Sequence, residues 1–171
     1  MCQGCGTCAP ECNFNAITIR HFTDQQMVAQ IDAALAHHPH EKVLTFACNW
    51  CSYAGADLAG VSRLQYPPSA RVIHTMCSGR VDPDHVLYGF ERGAAVVLVS
   101  GCHFGDCHYI DANHHTAKRI ERLGKQLERK GIRPERLHLE WVSAAEGQKW
   151  AQLMRDLDEL RRTVTQEEVD E

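Results

Sequence analysis

Nowhere in the 171 residues does an apolar run approach the ~18 residues that a bilayer-spanning helix requires, which excludes a transmembrane segment of that kind. Basic residues are not in excess either: 18 Lys and Arg against 22 Asp and Glu leave a formal charge of −4. The cations are scattered or helical rather than interleaved with aromatics, so no broad electropositive surface for nucleic acid is expected. The opening residues, MCQGC, carry no basic stretch followed by an apolar one, and a cytoplasmic protein is expected. No G-x-G-x-x-G phosphate-binding fingerprint occurs. Cysteine is absent from the C-terminal third.

What the chain does have is nine cysteines, packed into its first two thirds. In a reducing compartment that number is too high for incidental core thiols, and an odd count argues against a fully paired disulfide framework. Metal is the better expectation. Cys2, Cys5, Cys8 and Cys12 form one group, CQGCGTCAPEC; Cys48, Cys51, Cys77, Cys102 and Cys107 are spread over sixty residues.

The hydrophobic pattern alternates between short buried runs and amphipathic stretches. Thr23 and Gln26 make a capping box that opens a helix with Met27, Val28, Ile31, Ala34 and Leu35 as its apolar stripe. HHPH (37–40) ends it. VLTFA (43–47), RVIHTM (71–76), AAVVLVS (94–100) and RLHLEWV (136–142) read as strands. Helices fall between them: near 56–64; from an Asp82 cap and Pro83 to Phe90; and over 113–130 with Ile120, Leu123 and Leu127 inward. A last helix, capped by Ser143 with Glu146, carries Trp150, Leu153, Met154, Leu157 and Leu160, and TQEEVDE is expected to be a loose tail. Four strand–helix repeats predict an α/β fold, a flavodoxin-like parallel sheet of about four strands with helices on both faces. Residues 1–22 would be a small ferredoxin-like segment with AITI as a short strand, 23–40 a connecting helix, 41–163 the α/β domain and 164–171 an acidic tail.

In that arrangement Cys48, Cys77 and Cys102 follow the first three strands, and Cys51 and Cys107 lie slightly further along the same loops. All five stand at the carboxyl edge, where open α/β sheets place ligands. Five thiols are offered where a [2Fe–2S] cluster or a tetrahedral metal needs four, so one is spare. The C-x2-C of Cys48 and Cys51 alone serves zinc, a thioredoxin-type pair or a cluster equally well. His103 and His108 flank the thiols and could replace two of them in a Rieske-like site or support them by hydrogen bonds. Asp106 could steer protons or hold its turn. Ser78 and Gly79 offer N–H groups, and Arg80 is either a fixed cation favouring a reduced cluster or an ordinary solvent-facing charge. His37, His38, His40, His114 and His115 read as surface or loop residues; His74 and His138 lie within strands.

The C-x2-C-x2-C-x3-C spacing of Cys2, Cys5, Cys8 and Cys12 is that of thiolates around a cubane [4Fe–4S] cluster. Zinc sites favour separated pairs or Cys/His mixtures. Asn13 stands where the bacterial motif continues with proline. In two-cluster ferredoxins, moreover, the fourth cysteine serves the other cluster. Either Cys12 closes a single cluster or the segment belongs to a longer ferredoxin module.

At CNWCSYAGAD (48–57), MCSGRVDP (76–83) and GCHFGDCHY (101–109) the chain resembles the delta, iron–sulfur subunit of the methyl-viologen-reducing (F420-non-reducing) hydrogenase family, over roughly residues 42–160. The preceding CQGCGTCAPECNFNAITIRHFTDQQMVAQI resembles the last ferredoxin motif and C-terminal helix of the heterodisulfide reductase A subunit. The resemblance implies a [2Fe–2S] cluster on four of Cys48, Cys51, Cys77, Cys102 and Cys107. It also implies electron relay from a hydrogenase or formate dehydrogenase to the bifurcating flavin of a flavoprotein like that A subunit, with no organic substrate site. Rival readings are a zinc-stabilised interaction domain and a thiol–disulfide enzyme using Cys48 and Cys51.

Overall fold

The computed structural model describes residues 2–170; Met1 and Glu171, which open the cysteine segment and close the acidic tail, lie outside the described residues. Four strands, β1 (Val43–Cys48), β2 (Ala70–Thr75), β3 (Val96–Gly101) and β4 (Leu137–Trp141), form one sheet in the order β2-β1-β3-β4. Every pairing is parallel, with Val43 opposite both Ala70 and Val96, and Val97 opposite Leu137. β1 and β3 are buried at every position, as a central strand covered on both faces must be. β2, at the edge, leaves Val72 exposed.

Helices clothe both faces. On one, α1 (Asp24–Leu35), α3 (Pro83–Glu91) and α4 (Ala112–Arg129) bury Met27, Ile31, Val86, Ile120 and Leu123 against Leu44, Phe46, Val97 and Val99. On the other, α2 (Ser52–Val61) and α5 (Gly147–Thr163) close over Val43, Ala47, Val96 and Leu98 with Ala59, Trp150, Met154 and Leu157. Removing each large apolar side chain from water stabilises the fold by ~1.5–3 kcal/mol, so the two layers hold the sheet rigidly. The sequence signals at the helix starts are realised: Thr23 and Gln26 exchange both hydrogen bonds of a capping box, and Asp82 forms one with His85 behind Pro83. No helix among the described residues is long and apolar enough to cross a membrane.

The structure departs from the sequence expectation in four places. Residues 16–19 form no strand, because no described strand lies beside them to pair with. α2 begins at Ser52, four residues earlier than the pattern suggests, because Ser52 turns its hydroxyl back to accept from the Cys48 N–H at 3.1 Å. Ser143 does not cap α5, which starts at Gly147; the Glu146 carboxylate accepts the Ser143 N–H at 2.7 Å, but the reciprocal bond does not form. The tail is not loose: Gln166–Asp170 is a short helix, α6, held by a 2.7 Å ion pair between Arg133 and Glu168 and by the buried Arg136, which donates to the Glu168 carbonyl.

Candidate metal centre

Chain order β2-β1-β3 means that the chain leaves β1 in one direction and returns across it to the other side, so the carboxyl ends of β1 and β3 flank the point where strand order reverses. Cys48 is the last residue of β1, and Cys102 directly follows β3. Their sulfurs lie 4.0 Å apart. Cys51, just ahead of α2, completes a buried trio whose sulfurs are all within 4.8 Å of one another. Among the described residues it is the one group of three or more Cys, His, Asp or Glu side chains gathered that closely.

Cys77 follows β2, is buried, and packs with Tyr109 and Ala112. Cys107, half-buried, touches both the trio and the Cys77 group. All five thiols expected at this edge are therefore neighbours there, and all are free. Their protonation is mutually dependent. The Cys48 thiol is drawn far below its usual range by hydrogen bonds from Cys102, then Cys51 and Cys77. Sharing with Cys102 pushes Cys51 up, the contact with Cys48 pushes Cys77 up, and the same contact pushes Cys102 up to about 12. Burial and mutual repulsion oppose ionising several of these thiols together. A cation removes that opposition, and a cluster of soft thiolates selects zinc or iron–sulfur iron over hard cations. Two thiolates on one tetrahedral metal stand ~3.8 Å apart for metal–sulfur bonds of about 2.3 Å. The Cys48–Cys102 spacing is close to that value.

The loops are set by Asn113 and Trp50, which carried no sequence signal, and by the Gly79 N–H, which did. Asn113, fully buried at the start of α4, donates from Nδ2 to the carbonyls of Cys102 and His103, both at 3.0 Å, and so fixes the loop after β3. Gly79 N–H donates to Cys77 Sγ at 3.4 Å. Trp50, between Cys48 and Cys51, stacks on His108 with ring centres 3.8 Å apart and donates from Nε1 to the Tyr109 hydroxyl at 2.9 Å. His108 is thus part of an aromatic cover. His103 donates to Glu146 at 2.6 Å instead of turning to the thiols. His74 donates to Asn49 at 2.7 Å, whereas Nε2 of His138 is buried without a partner. Asp106 sits in an exposed turn, its N–H bonded to the His103 carbonyl.

Arg80 is not a solvent-facing charge. It is 1% exposed, donates from Nε to the Phe22 carbonyl at 2.8 Å and pairs through Nη2 with Asp24 at 2.6 Å. With Arg119, which bonds the Glu11 carboxylate and the Gly79 carbonyl, it ties the N-terminal segment to the loop after β2. Cys5 packs against the Cys77, Tyr109 and Ala112 group, so the two cysteine groups lie side by side. Cys2, Cys5, Cys8 and Cys12 are free and not gathered as tightly as the trio. Backbone N–H groups of Ala16 and then Phe14 hold the Cys12 thiol below its usual range, which suits a ligand that must be a thiolate.

The model for the methyl-viologen-reducing hydrogenase delta subunit matches residues 43–163. The chain is 47% identical over 123 residues to the iron-sulfur D subunit of the vhc F420-non-reducing hydrogenase of Methanococcus voltae, covering 72% of this chain and 85% of the relative. It is 46% identical over 116 residues to the iron-sulfur D subunit of the F420-non-reducing hydrogenase of Archaeoglobus profundus, with 68% and 85% covered. It is also 44% identical over 193 residues to the A subunit of the ferredoxin:CoB-CoM heterodisulfide reductase of Methanosarcina mazei, a match that takes in 93% of this chain. The chain spans about a quarter of that relative's length, 24%. The matched region contains the whole sheet and all five edge cysteines, and the chain belongs to the methyl-viologen-reducing hydrogenase delta subunit family.

Proposed function

We propose that this chain is an iron–sulfur electron-transfer subunit of hydrogenase- and heterodisulfide-reductase-type complexes. The observation that carries the reading is the convergence of Cys48, Cys51 and Cys102 at the reversal point of the sheet, three buried thiols within 4.8 Å of one another. In this reading Cys48, Cys51, Cys102 and Cys77 hold a [2Fe–2S] cluster. Cys77 is chosen over Cys107 because it is fully buried and in contact with Cys48. Cys2, Cys5, Cys8 and Cys12 hold a [4Fe–4S] cluster. When bound, these groups supply reversible one-electron chemistry.

The protein's own part is to hold and shield them. Asn113 and Ser52 fix the loops that present Cys102 and Cys48, and Trp50, His108 and Tyr109 keep water from the sulfurs. The names of the relatives, a hydrogenase iron-sulfur subunit and a heterodisulfide reductase A subunit, support a place in complexes of those two kinds; the finer reading is a route from a hydrogenase, or a formate dehydrogenase in its place, to a bifurcating flavoprotein of the heterodisulfide reductase A type. Large apolar side chains stand exposed around the site, Trp50, Tyr53, Phe104 and Ile110 among them, as a protein covered by partners would present.

Iron and acid-labile sulfide counting with Mössbauer spectroscopy on anaerobically purified protein tests this, repeated on the five edge Cys→Ser variants. Loss of the two-iron signal in Cys48→Ser, Cys51→Ser, Cys77→Ser and Cys102→Ser with retention in Cys107→Ser is expected. A colourless protein with stoichiometric zinc would replace the reading with that of a zinc-stabilised interaction domain.

A further inference from the structure

Two guanidiniums lie under the N-terminal cysteine loop, and neither is satisfied. Arg80 is 1% exposed and uses Nε and Nη2 on Phe22 and Asp24, which leaves Nη1 buried with no partner. Arg119 is also buried; it spends Nη1 on Glu11 and Nη2 on the carbonyls of Gly79 and Val81, which leaves Nε without a partner. Both touch the cysteine loop or its immediate neighbours. A Cβ on Gly6, between Cys5 and Cys8, would come within 2.8 Å of the Arg80 side chain, and Glu11, the partner of Arg119, immediately precedes Cys12.

The charges are arranged unequally. Each cation is inside, while its carboxylate faces water: Asp24 is 63% and Glu11 42% exposed. Solvent screens the carboxylates far more than the guanidiniums, so the interior beside the loop is left positive. A buried cation with an unused N–H is a costly arrangement unless an anion shares the space.

We propose that Arg80 and Arg119 form a cationic floor beneath Cys2, Cys5, Cys8 and Cys12 and raise the reduction potential of the metal–thiolate centre held there. The inference rests on the proposed [4Fe–4S] reading of that motif. Added positive charge and N–H donors stabilise the form carrying the extra electron.

The test is a potentiometric titration followed by EPR on anaerobic protein: wild type, Arg80→Gln, Arg80→Lys, Arg119→Gln and Asp24→Asn. Each Arg→Gln variant is expected to shift the one-electron equilibrium of the N-terminal centre at least tenfold towards the oxidised form, 59 mV lower. Arg80→Lys is expected to retain most of the wild-type potential, and Asp24→Asn, which removes the opposing charge, to move it upwards. The opposed signs separate an electrostatic role from a packing role, because loss of packing would not reverse with the sign of the charge removed. Unchanged potentials in Arg→Gln variants with full iron content, or a shift of the same sign in Arg80→Gln and Asp24→Asn, would overturn the inference. Should Arg80→Gln fail to assemble, Arg80→Lys and Asp24→Asn still decide it. Cys5→Ser and Cys8→Ser variants that keep the iron content of wild type would instead remove the [4Fe–4S] reading itself.

Discussion

Replacing Gly79 by alanine tests whether the cysteine segment and the sheet domain are one body. Gly79 follows Cys77 by two residues, and a Cβ built there would lie 2.1 Å from Thr7 Oγ1, 3.3 Å from Thr7 Cβ and 3.2 Å from Ala112 Cβ. Ala112 opens α4 and is anchored by that helix, so the relief must come from Thr7. If the segment stays docked, the overpacking costs ~1–3 kcal/mol. For a chain of this size that lowers the melting temperature by about 2–12 °C. If the segment lets go, the cost is capped at its docking free energy. The turn amides of Ala9 and Cys12, bonded at 3.1 and 3.0 Å to the Gly6 and Ala9 carbonyls, then exchange hydrogen faster while the sheet does not. Thr7→Ala removes the clashing oxygen, so in Gly79→Ala the second substitution should restore stability, with a coupling of ~1–2 kcal/mol in a double-mutant cycle on denaturation midpoints. Strict additivity, or a Gly79→Ala protein with wild-type stability and exchange, would show that Thr7 does not rest on the Cys77 loop.

Asn113→Ala leaves the carbonyls of Cys102 and His103 without their donor, so a loss of ~1–3 kcal/mol for each buried acceptor is expected by chemical denaturation, with weakened cluster retention. Leu98→Ala in the buried centre of β3 should cost ~2–5 kcal/mol by the same measurement, while Val61→Ala on the exposed end of α2 should change little. The Glu146 carboxyl is held down at about 2 by the Ser143 N–H and then by His103. Because its folded value lies below the unfolded one, its contribution is present above pH ~4.5 and is lost as pH falls towards 2. Melting temperature against pH should therefore fall less steeply over that window in Glu146→Gln than in wild type. Removal of iron by chelator under oxidation should lower the melting temperature of wild type and leave a Cys48→Ser, Cys5→Ser double variant unmoved.

Most of the architecture was legible because it is written in local chemistry. The short, mostly apolar and β-branched runs at Val43–Cys48 and Val96–Gly101 lack alternation, as strands covered on both faces do, and the Thr23/Gln26 box and the Asp82–Pro83 start mark their helices within a residue. The reading failed where the outcome depended on distant partners. AITI has strand composition but no described strand to join, and the strongly acidic TQEEVDE is helical over Gln166–Asp170 because Arg136 and Arg133 wait for Glu168. Arg80 could not be classed from its surroundings in sequence, since Phe22 and Asp24 reach it from far up the chain.

The order of strands and loops along the chain, with a cysteine at the end of each of three apolar runs, was enough to put five thiols at one sheet edge: parallel strands share a direction, so their carboxyl ends must share a side. Spacing along the chain is blind to what lies alongside. That Cys5 comes to rest by Cys77 and Tyr109, that two arginines are drawn under the N-terminal loop, and that Cys107 is left outermost were decided by side-chain packing between segments as much as 108 residues apart.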